Sequence, residues 1–234
     1  RIWDQQVPAL ADRYRLLRYD WRGHGHTQAP RGPYSLGGFV QDAIGLMDFL
    51  DLPSVHWVGI STGGMIGQGL GIQHPQRIAS LTLCNTTSRA DQWYREWVAE
   101  RQSVVRREGM QAVWQMTRHL WFTEPFIARA DAHYRLIQAV FENTSPAGYL
   151  GGTSAVTELA YDVELHKIDA PTRIIAAGAD PVTPLAKSEA IHAAIKDSTL
   201  HVIDGQHHFS NVEVPHQFNA LLREGLDLMS IKQP

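Results

Sequence analysis

The sequence predicts an α/β fold with a block of helices inserted between two strands. Three observations carry this expectation. Short apolar, β-rich runs alternate with stretches of helical periodicity toward both ends of the chain. A Gly-x-Ser-x-Gly turn, Gly59-Ile60-Ser61-Thr62-Gly63, joins one such run to the helix that follows it. Between residues 87 and 160 the alternation stops and helical segments succeed one another.

The elements follow in order. Ala29-Pro30-Arg31-Gly32-Pro33 is a turn-rich loop. Leu36, Val40, Ile44, Met47 and Leu50 recur at helical spacing and predict a helix over 36–50. Val55 to Ile60 is apolar and reads as a strand, and Thr62 to Gln73 reads as a helix of small and apolar residues. Ala79 to Asn85 is the next strand. The inserted block reads as helices over Asp91 to Arg107, Met110 to Leu120, Glu124 to Glu142 and Pro146 to Tyr161. Thr172 to Ala177 and Thr199 to Ile203 are the last two strands. The block holds four of the seven tryptophans, Trp93, Trp97, Trp114 and Trp121. Aromatic residues at helical spacing belong to cores by default, so Trp93, Trp97 and Trp114 are assigned to packing.

Composition narrows the class. A length of 234 residues fits one α/β domain with an insertion, and 44% hydrophobic residues supply a core. A net charge of −3 leaves no basic footprint for nucleic acid. No apolar run approaches the ~18 residues of a membrane span. The one cysteine, Cys84, cannot form an intrachain disulfide and reads as a small buried hydrophobe, which fits a cytoplasmic protein. His24 and His26 are separated by one residue without clustered Cys or carboxylates, a poor tetrahedral set, so no metal is expected.

The chemistry begins at the Gly-x-Ser-x-Gly turn. A strand-to-helix bend of this kind is a nucleophile elbow, which lifts the serine hydroxyl above the sheet edge and aims free helical N–H groups at the same point. Gly59 and Gly63 are expected to let strand and helix approach closely, and the Thr62 N–H is the candidate oxyanion donor. A serine nucleophile needs a base, and the base an orienting carboxylate, in the chain order Ser, acid, His. Asp180 follows the Thr172 strand in the Pro-punctuated loop Gly178 to Pro184. His207 and His208 follow the Thr199 strand, and sequence physics leaves the choice between them open. Asp204 competes for the acid role but reads better as a turn residue at the strand end. All of these lie beyond carboxyl ends of strands, where open α/β sheets place their sites.

Several stretches resemble a known family. They are Leu17-Arg18-Tyr19-Asp20-Trp21-Arg22-Gly23-His24-Gly25-His26, Gly32-Pro33-Tyr34-Ser35-Leu36, Gly59 to Gly67, Leu83-Cys84-Asn85-Thr86, Trp121-Phe122, Asp180 to Pro184, and His208-Phe209-Ser210-Asn211-Val212-Glu213. Across nearly its whole length the chain resembles the α/β-hydrolases, and more narrowly the 3-oxoadipate enol-lactonases. The resemblance implies a mostly parallel central sheet with helices on both faces. Residues 87–160 would form a helical cap between the two parts of the core, 1–86 and 161–234. It implies His208 as base, with catalytic residues Ser61, Asp180 and His208, and Trp121 lining the substrate pocket. Two positions depart from the family pattern. Thr62 stands where Met is common, and Ala177 where Gly is usual; neither change removes a catalytic atom.

The resemblance also bears on the start of the chain, Arg1-Ile2-Trp3-Asp4. In the family about 30 residues precede this point, enough for three short strands and the loop that carries the first oxyanion donor. Tyr14 to Tyr19 would be the fourth strand and Val55 to Ile60 the fifth, with the third between them. Without it, both would leave backbone groups unpaired at roughly 1–3 kcal/mol each. The sum exceeds the ~5–15 kcal/mol stability of a typical domain. The missing segment is therefore expected as further residues or a separate piece.

The implied substrate is a carboxylate-bearing enol-lactone of protocatechuate and catechol degradation, hydrolysed without metal or organic cofactor. The carboxylate calls for a cationic spot, for which Arg89, Arg95 and Arg118 are candidates in or beside the cap. Two other outcomes stay open: a carboxylesterase or different lactonase of the same fold, and a non-catalytic ligand-binding member.

Overall fold

The computed structural model describes residues 1–231. Its order is α1 (Val7–Leu10), α2 (Leu36–Phe49), β1 (Val55–Ile60), α3 (Thr62–Gln73), β2 (Ile78–Cys84), α4 (Gln92–Glu108), α5 (Met110–Trp121), α6 (Glu124–Arg129), α7 (Ala132–Glu142), α8 (Pro146–Val156), β3 (Thr172–Ala177), α9 (Leu185–Ala194), β4 (Ser198–Ile203), α10 (Ser210–Glu213) and α11 (Pro215–Ile231). Among the described residues the sheet has four strands in the order β1-β2-β3-β4, all parallel.

The period of two along each strand sorts the core onto two faces. Leu81, Leu83 and Ile174 point to one face and pack with residues of α2, α3 and α9. Their neighbours Cys84 and Ile175 point to the other, with Ile60, Ile203 and the α11 residues Phe218, Leu222 and Leu226. β3 is buried at every residue, as a strand covered on both faces must be. Leu36, Val40, Ile44 and Met47 form the buried stripe of α2, whose start is capped by Ser35 accepting from the Gly38 N–H at 3.0 Å.

The five helices α4–α8 lie between β2 and β3, where the alternation of the sequence stops. Asp91 and Asp131 cap α4 and α7 by accepting from the Tyr94 and Tyr134 N–H groups at 2.9 and 2.8 Å. The helix expected over Glu124 to Glu142 is two helices. Ala130 adopts a left-handed conformation (φ 43°), which ends α6, and Asp131 restarts the chain as α7. The helix expected to reach Tyr161 stops at Val156, and Ala160 instead forms an antiparallel bridge with Arg89.

Two further expectations are corrected. Tyr14 to Tyr19 is not a strand. A strand needs a neighbour to complete its ladder, and β1, at the edge of the described sheet, pairs only with β2. Leu16 and Leu17 are accordingly 37% and 49% exposed. Trp93 is not core either. It is 52% exposed, whereas Trp114 is fully buried and Trp97 partly so. On α4 the buried stripe runs through Tyr94, Val98, Arg101 and Val105, one position round the helix from Trp93. Cys84 is fully buried in β2.

Candidate active site

Ser61 sits between β1 and α3 with φ 52° and ψ −117°, a conformation that L residues adopt only when the surroundings hold them there. Several contacts do so. The Ser61 N–H donates to the Cys84 carbonyl at 2.9 Å. The Thr86 hydroxyl donates to the Ser61 carbonyl at 2.8 Å. The Trp57 indole N–H donates to the Gly63 carbonyl at 2.9 Å, tying the first turn of α3 back to β1. The glycines divide their roles differently from expectation. A Cβ on Gly59 would sit 2.1 Å from the Gly63 oxygen, and one on Gly64 would sit 2.7 Å from Thr86, but one on Gly63 would meet nothing within 4 Å. Gly59 and Gly64, not Gly63, permit the close approach. Among the described residues the Thr62 N–H makes no hydrogen bond, as the first turn of a helix leaves it.

Asp180 and His208 meet. His208 Nδ1 lies 2.7 Å from Asp180 Oδ2, with both side chains almost wholly buried. The loop after β3 wraps the carboxylate. Oδ1 accepts from the Val182 and Thr183 N–H groups at 2.8 and 3.1 Å, and Oδ2 also accepts from the Thr183 hydroxyl at 2.7 Å. Burial alone would push the Asp180 pKa up. The charge of His208, with the hydrogen bonds from His208 and Thr183, outweighs it and holds the carboxyl below the ordinary aspartate value. Ionised Asp180 therefore keeps the proton on Nδ1 and leaves Nε2 as the basic nitrogen.

The other two candidates lie apart from this contact. His207 Nδ1 lies 3.0 Å from the His119 carbonyl at the end of α5, and Asp204 is exposed with no hydrogen bond to His208. Among the described residues no hydrogen bond joins the Ser61 hydroxyl to His208; the His208 loop is held instead by Asn85. This residue, 1% exposed and in a positive-φ conformation at the end of β2, donates to the His208 carbonyl at 2.6 Å and the Ser210 hydroxyl at 3.2 Å. Its Oδ1 accepts from the Ala177 N–H at 2.7 Å. One side chain thus clamps the ends of β2, β3 and the loop after β4. The hydrogen bonds of Asn85 and Thr183 were not legible in the sequence, although both residues lie in stretches that carry the family resemblance, Leu83-Cys84-Asn85-Thr86 and Asp180 to Pro184.

Trp121 closes α5 against the His208 loop. Its ring centroid is 4.4 Å from that of Phe209 and 5.1 Å from that of Phe141, and its carbonyl accepts from the Phe209 N–H at 3.0 Å. Beside the Asp180 loop lies a cavity of about 220 Å³ lined in part by Thr87, Trp93, Tyr94, Pro181 and Val182. The three candidate arginines fare unequally. Arg89 is paired with Asp162 at 2.9 Å, and Arg95 bonds the Ala90 and Thr157 carbonyls at 2.7 and 3.2 Å. Arg118 is half-buried, and its Nε has no partner. Among the described residues no three His, Cys, Asp or Glu side chains cluster as a metal set would, and no helix is long and apolar enough to cross a membrane.

Comparison with known proteins gives the same architecture. A family model described as alpha/beta hydrolase fold matches residues 1–215. 3-Oxoadipate enol-lactonase 2 of Acinetobacter baylyi is 34% identical over 218 residues, covering 93% of this chain and 80% of that protein. 3-Oxoadipate enol-lactonase 1 of the same species is 30% identical over 217 residues, with the same coverages, 93% and 80%. The solved enol-lactonase structure from Burkholderia xenovorans LB400 superposes with a TM-score of 0.93 at 32% identity, over 97% of this chain and 86% of that one. With its parallel sheet, strained Ser61 turn and helical block between β2 and β3, the chain belongs to the α/β-hydrolase fold family.

Proposed function

We propose that the chain hydrolyses the ester bond of a small carboxylate-bearing lactone, with 3-oxoadipate enol-lactone as substrate and 3-oxoadipate as product. Ser61, His208 and Asp180 form its catalytic triad. The buried 2.7 Å contact of His208 Nδ1 with Asp180, at the same carboxyl end of the parallel sheet as the Ser61 elbow, is the observation that carries the reading. The named activity of the two Acinetobacter relatives and of the Burkholderia structure supports the choice of substrate.

In this mechanism the Ser61 hydroxyl attacks the lactone carbonyl while His208 Nε2 takes its proton. The Ser61–His208 hydrogen bond forms when substrate orders the hydroxyl, since such bonds tighten in the substrate complex. Asp180 holds the imidazole tautomer and stabilises its charged form. The Thr62 N–H, at the start of α3, faces the developing oxyanion. Water activated by His208 then cleaves the acyl-enzyme. A lactone's leaving oxygen stays tethered to the acyl chain, so it has to be held away from Ser61 while water attacks. Residues 87–160 act as the cap that does this, between core segments 1–86 and 161–234, and Trp121 contacts the substrate from it. The helices α4–α8 and the packing of Trp121 on Phe209 support that division.

The test is a comparison of enol-lactone with p-nitrophenyl acetate, together with labelling of Ser61 by a phosphonate. Wild type turns over both and is labelled, with the enol-lactone preferred; Ser61→Ala loses on the order of 10⁴–10⁶ in turnover. Simple esters preferred over the lactone would replace the substrate assignment by a carboxylesterase. An unchanged rate in Ser61→Ala would remove the hydrolase mechanism altogether.

A further inference from the structure

The inserted helices hold a cation that nothing described so far uses. Arg101 of α4 is 4% exposed, so water does not solvate its charge. No carboxylate does so either. Among the described residues the only acid within 4 Å is Glu100, at 3.9 Å from Nη1, and Glu100 is itself 64% exposed. The five N–H donors of the guanidinium find two carbonyls, those of Trp97 and Met116, each at a long 3.4 Å. Nε is buried with no partner. Stacking of the guanidinium on Trp97, at 3.8 Å from the ring centroid, offsets part of this burial but supplies no hydrogen-bond acceptor. Buried charges are ordinarily paired, because an uncompensated one is costly. Arg118, the other arginine with an orphan Nε, is half-exposed, so solvent can satisfy its charge.

The surroundings lead from Arg101 back to the triad by two routes. On one, Tyr94 stacks on Trp97 at 5.6 Å, lines the cavity beside the Asp180 loop and is close enough to Asp180 to feel its charge. On the other, Tyr149 packs on Phe141 at 5.9 Å, Phe141 on Trp121 at 5.1 Å, and Trp121 on Phe209 at 4.4 Å, next to His208. Both phenols are electrostatic neighbours of Arg101, and burial keeps both neutral, with the Tyr149 pKa pushed up to about 12. Neither hydroxyl shows a hydrogen-bond partner among the described residues. A buried guanidinium with an orphan Nε and only two long hydrogen bonds, in the electrostatic neighbourhood of two uncommitted phenols, suits an anion.

We propose that Arg101 is the subsite that binds the carboxylate of the substrate, with Tyr94 and Tyr149 as its phenol neighbours. This rests on the reading of the site as one for a carboxylate-bearing lactone, and Arg101 is preferred to Arg89, which is exposed and already ion-paired with Asp162, and to Arg95, which bonds two backbone carbonyls. The substrate carboxylate is the counter-ion that the fold leaves out. A planar carboxylate suits the guanidinium fork, and the resulting anchor sets which end of the lactone reaches Ser61.

The test uses competitive inhibition of p-nitrophenyl acetate hydrolysis by butanoate and by the near-isosteric neutral butanamide. In wild type, butanoate binds at least about tenfold tighter than butanamide, as a charge-assisted contact in a desolvated site requires. In Arg101→Gln the ratio of the two inhibition constants falls to about one, a change that a merely structural role would not produce. Should Arg101→Gln lose cooperative unfolding, Arg101→Lys reads the same ratio, which drops about three- to tenfold because an ammonium cannot reproduce the fork. Equal inhibition by acid and amide in wild type, or a ratio left unchanged by both substitutions, overturns the proposal. The lactonase reading fails by a different result, wild type that cleaves esters but not enol-lactone, and that result leaves the inhibition ratio to be judged on its own.

Discussion

Replacing Asp180 by Asn tests the proposed division of labour most sharply, because the substitution keeps shape and removes only charge. The carboxylate accepts four hydrogen bonds. Two backbone N–H groups bond Oδ1, and the Thr183 hydroxyl and His208 Nδ1 bond Oδ2. An Asn side chain has two ways to sit. With its NH₂ toward Val182 and Thr183, it opposes two buried N–H donors, at about 1–3 kcal/mol each and so about 2–6 kcal/mol together. With its oxygen there, both backbone bonds survive, the Thr183 hydroxyl turns to accept, and the NH₂ faces His208. The second arrangement is favoured by those same kilocalories. It forces Nδ1 to accept a hydrogen bond, so the imidazole proton moves to Nε2, where it cannot take the proton of Ser61. Turnover of p-nitrophenyl acetate at neutral pH is therefore expected to fall about 10⁴-fold. The melting temperature should change little, since two of the four bonds persist and the other two reverse direction. Steady-state kinetics with thermal unfolding monitored by circular dichroism measures both. A variant retaining activity within tenfold of wild type would refute the argument that Asp180 sets the tautomer. A large loss of stability with activity preserved would show that the amide sits the other way round.

Further outcomes follow from the same contacts. Asn85→Ala orphans the buried Ala177 N–H and the His208 carbonyl, and is expected to cost about 2–6 kcal/mol of unfolding free energy in a urea titration, with activity falling as the His208 loop loosens. Gly59→Ala should destabilise by about 1–3 kcal/mol or more, because its Cβ would lie 2.1 Å from the Gly63 oxygen. Gly63→Ala, with open space at the same radius, should leave the melting temperature unchanged or raise it by the ~1 kcal/mol of helix propensity. Burial holds the His24 pKa below the ordinary histidine value, against smaller opposing effects of the Arg22 carbonyl and Asp20. The unfolded chain thus binds a proton that the folded one resists. His24 contributes stability that is fully present above the ordinary histidine range and is lost as pH falls through it toward the depressed folded value. Denaturant midpoints measured across that window should fall less steeply for His24→Gln than for wild type.

Local chemistry is what the sequence determined alone. The strained turn at Ser61 needs residues of a particular size within five positions, so it is legible without any knowledge of the fold. Strand runs such as Thr172 to Ala177, and the helical spacing of Leu36, Val40, Ile44 and Met47, carry their own periods, and these elements form where the pattern puts them. Asp180 was legible as an acid just past the carboxyl end of a strand. Tertiary structure decided whatever depends on a distant partner. Tyr14 to Tyr19 has strand-like residues, yet a ladder needs a neighbouring strand, and no local pattern supplies one. His207 and His208 are chemically identical, so residue chemistry left the choice open and only the family resemblance pointed to His208; in the fold His208 meets the Asp180 carboxylate and His207 the His119 carbonyl. Trp93 reads as core from its aromatic spacing, yet it is exposed while Arg101 of the same helix is buried, because the packing of α4 against α5 and α8, not residue type, sets which face of that helix is buried.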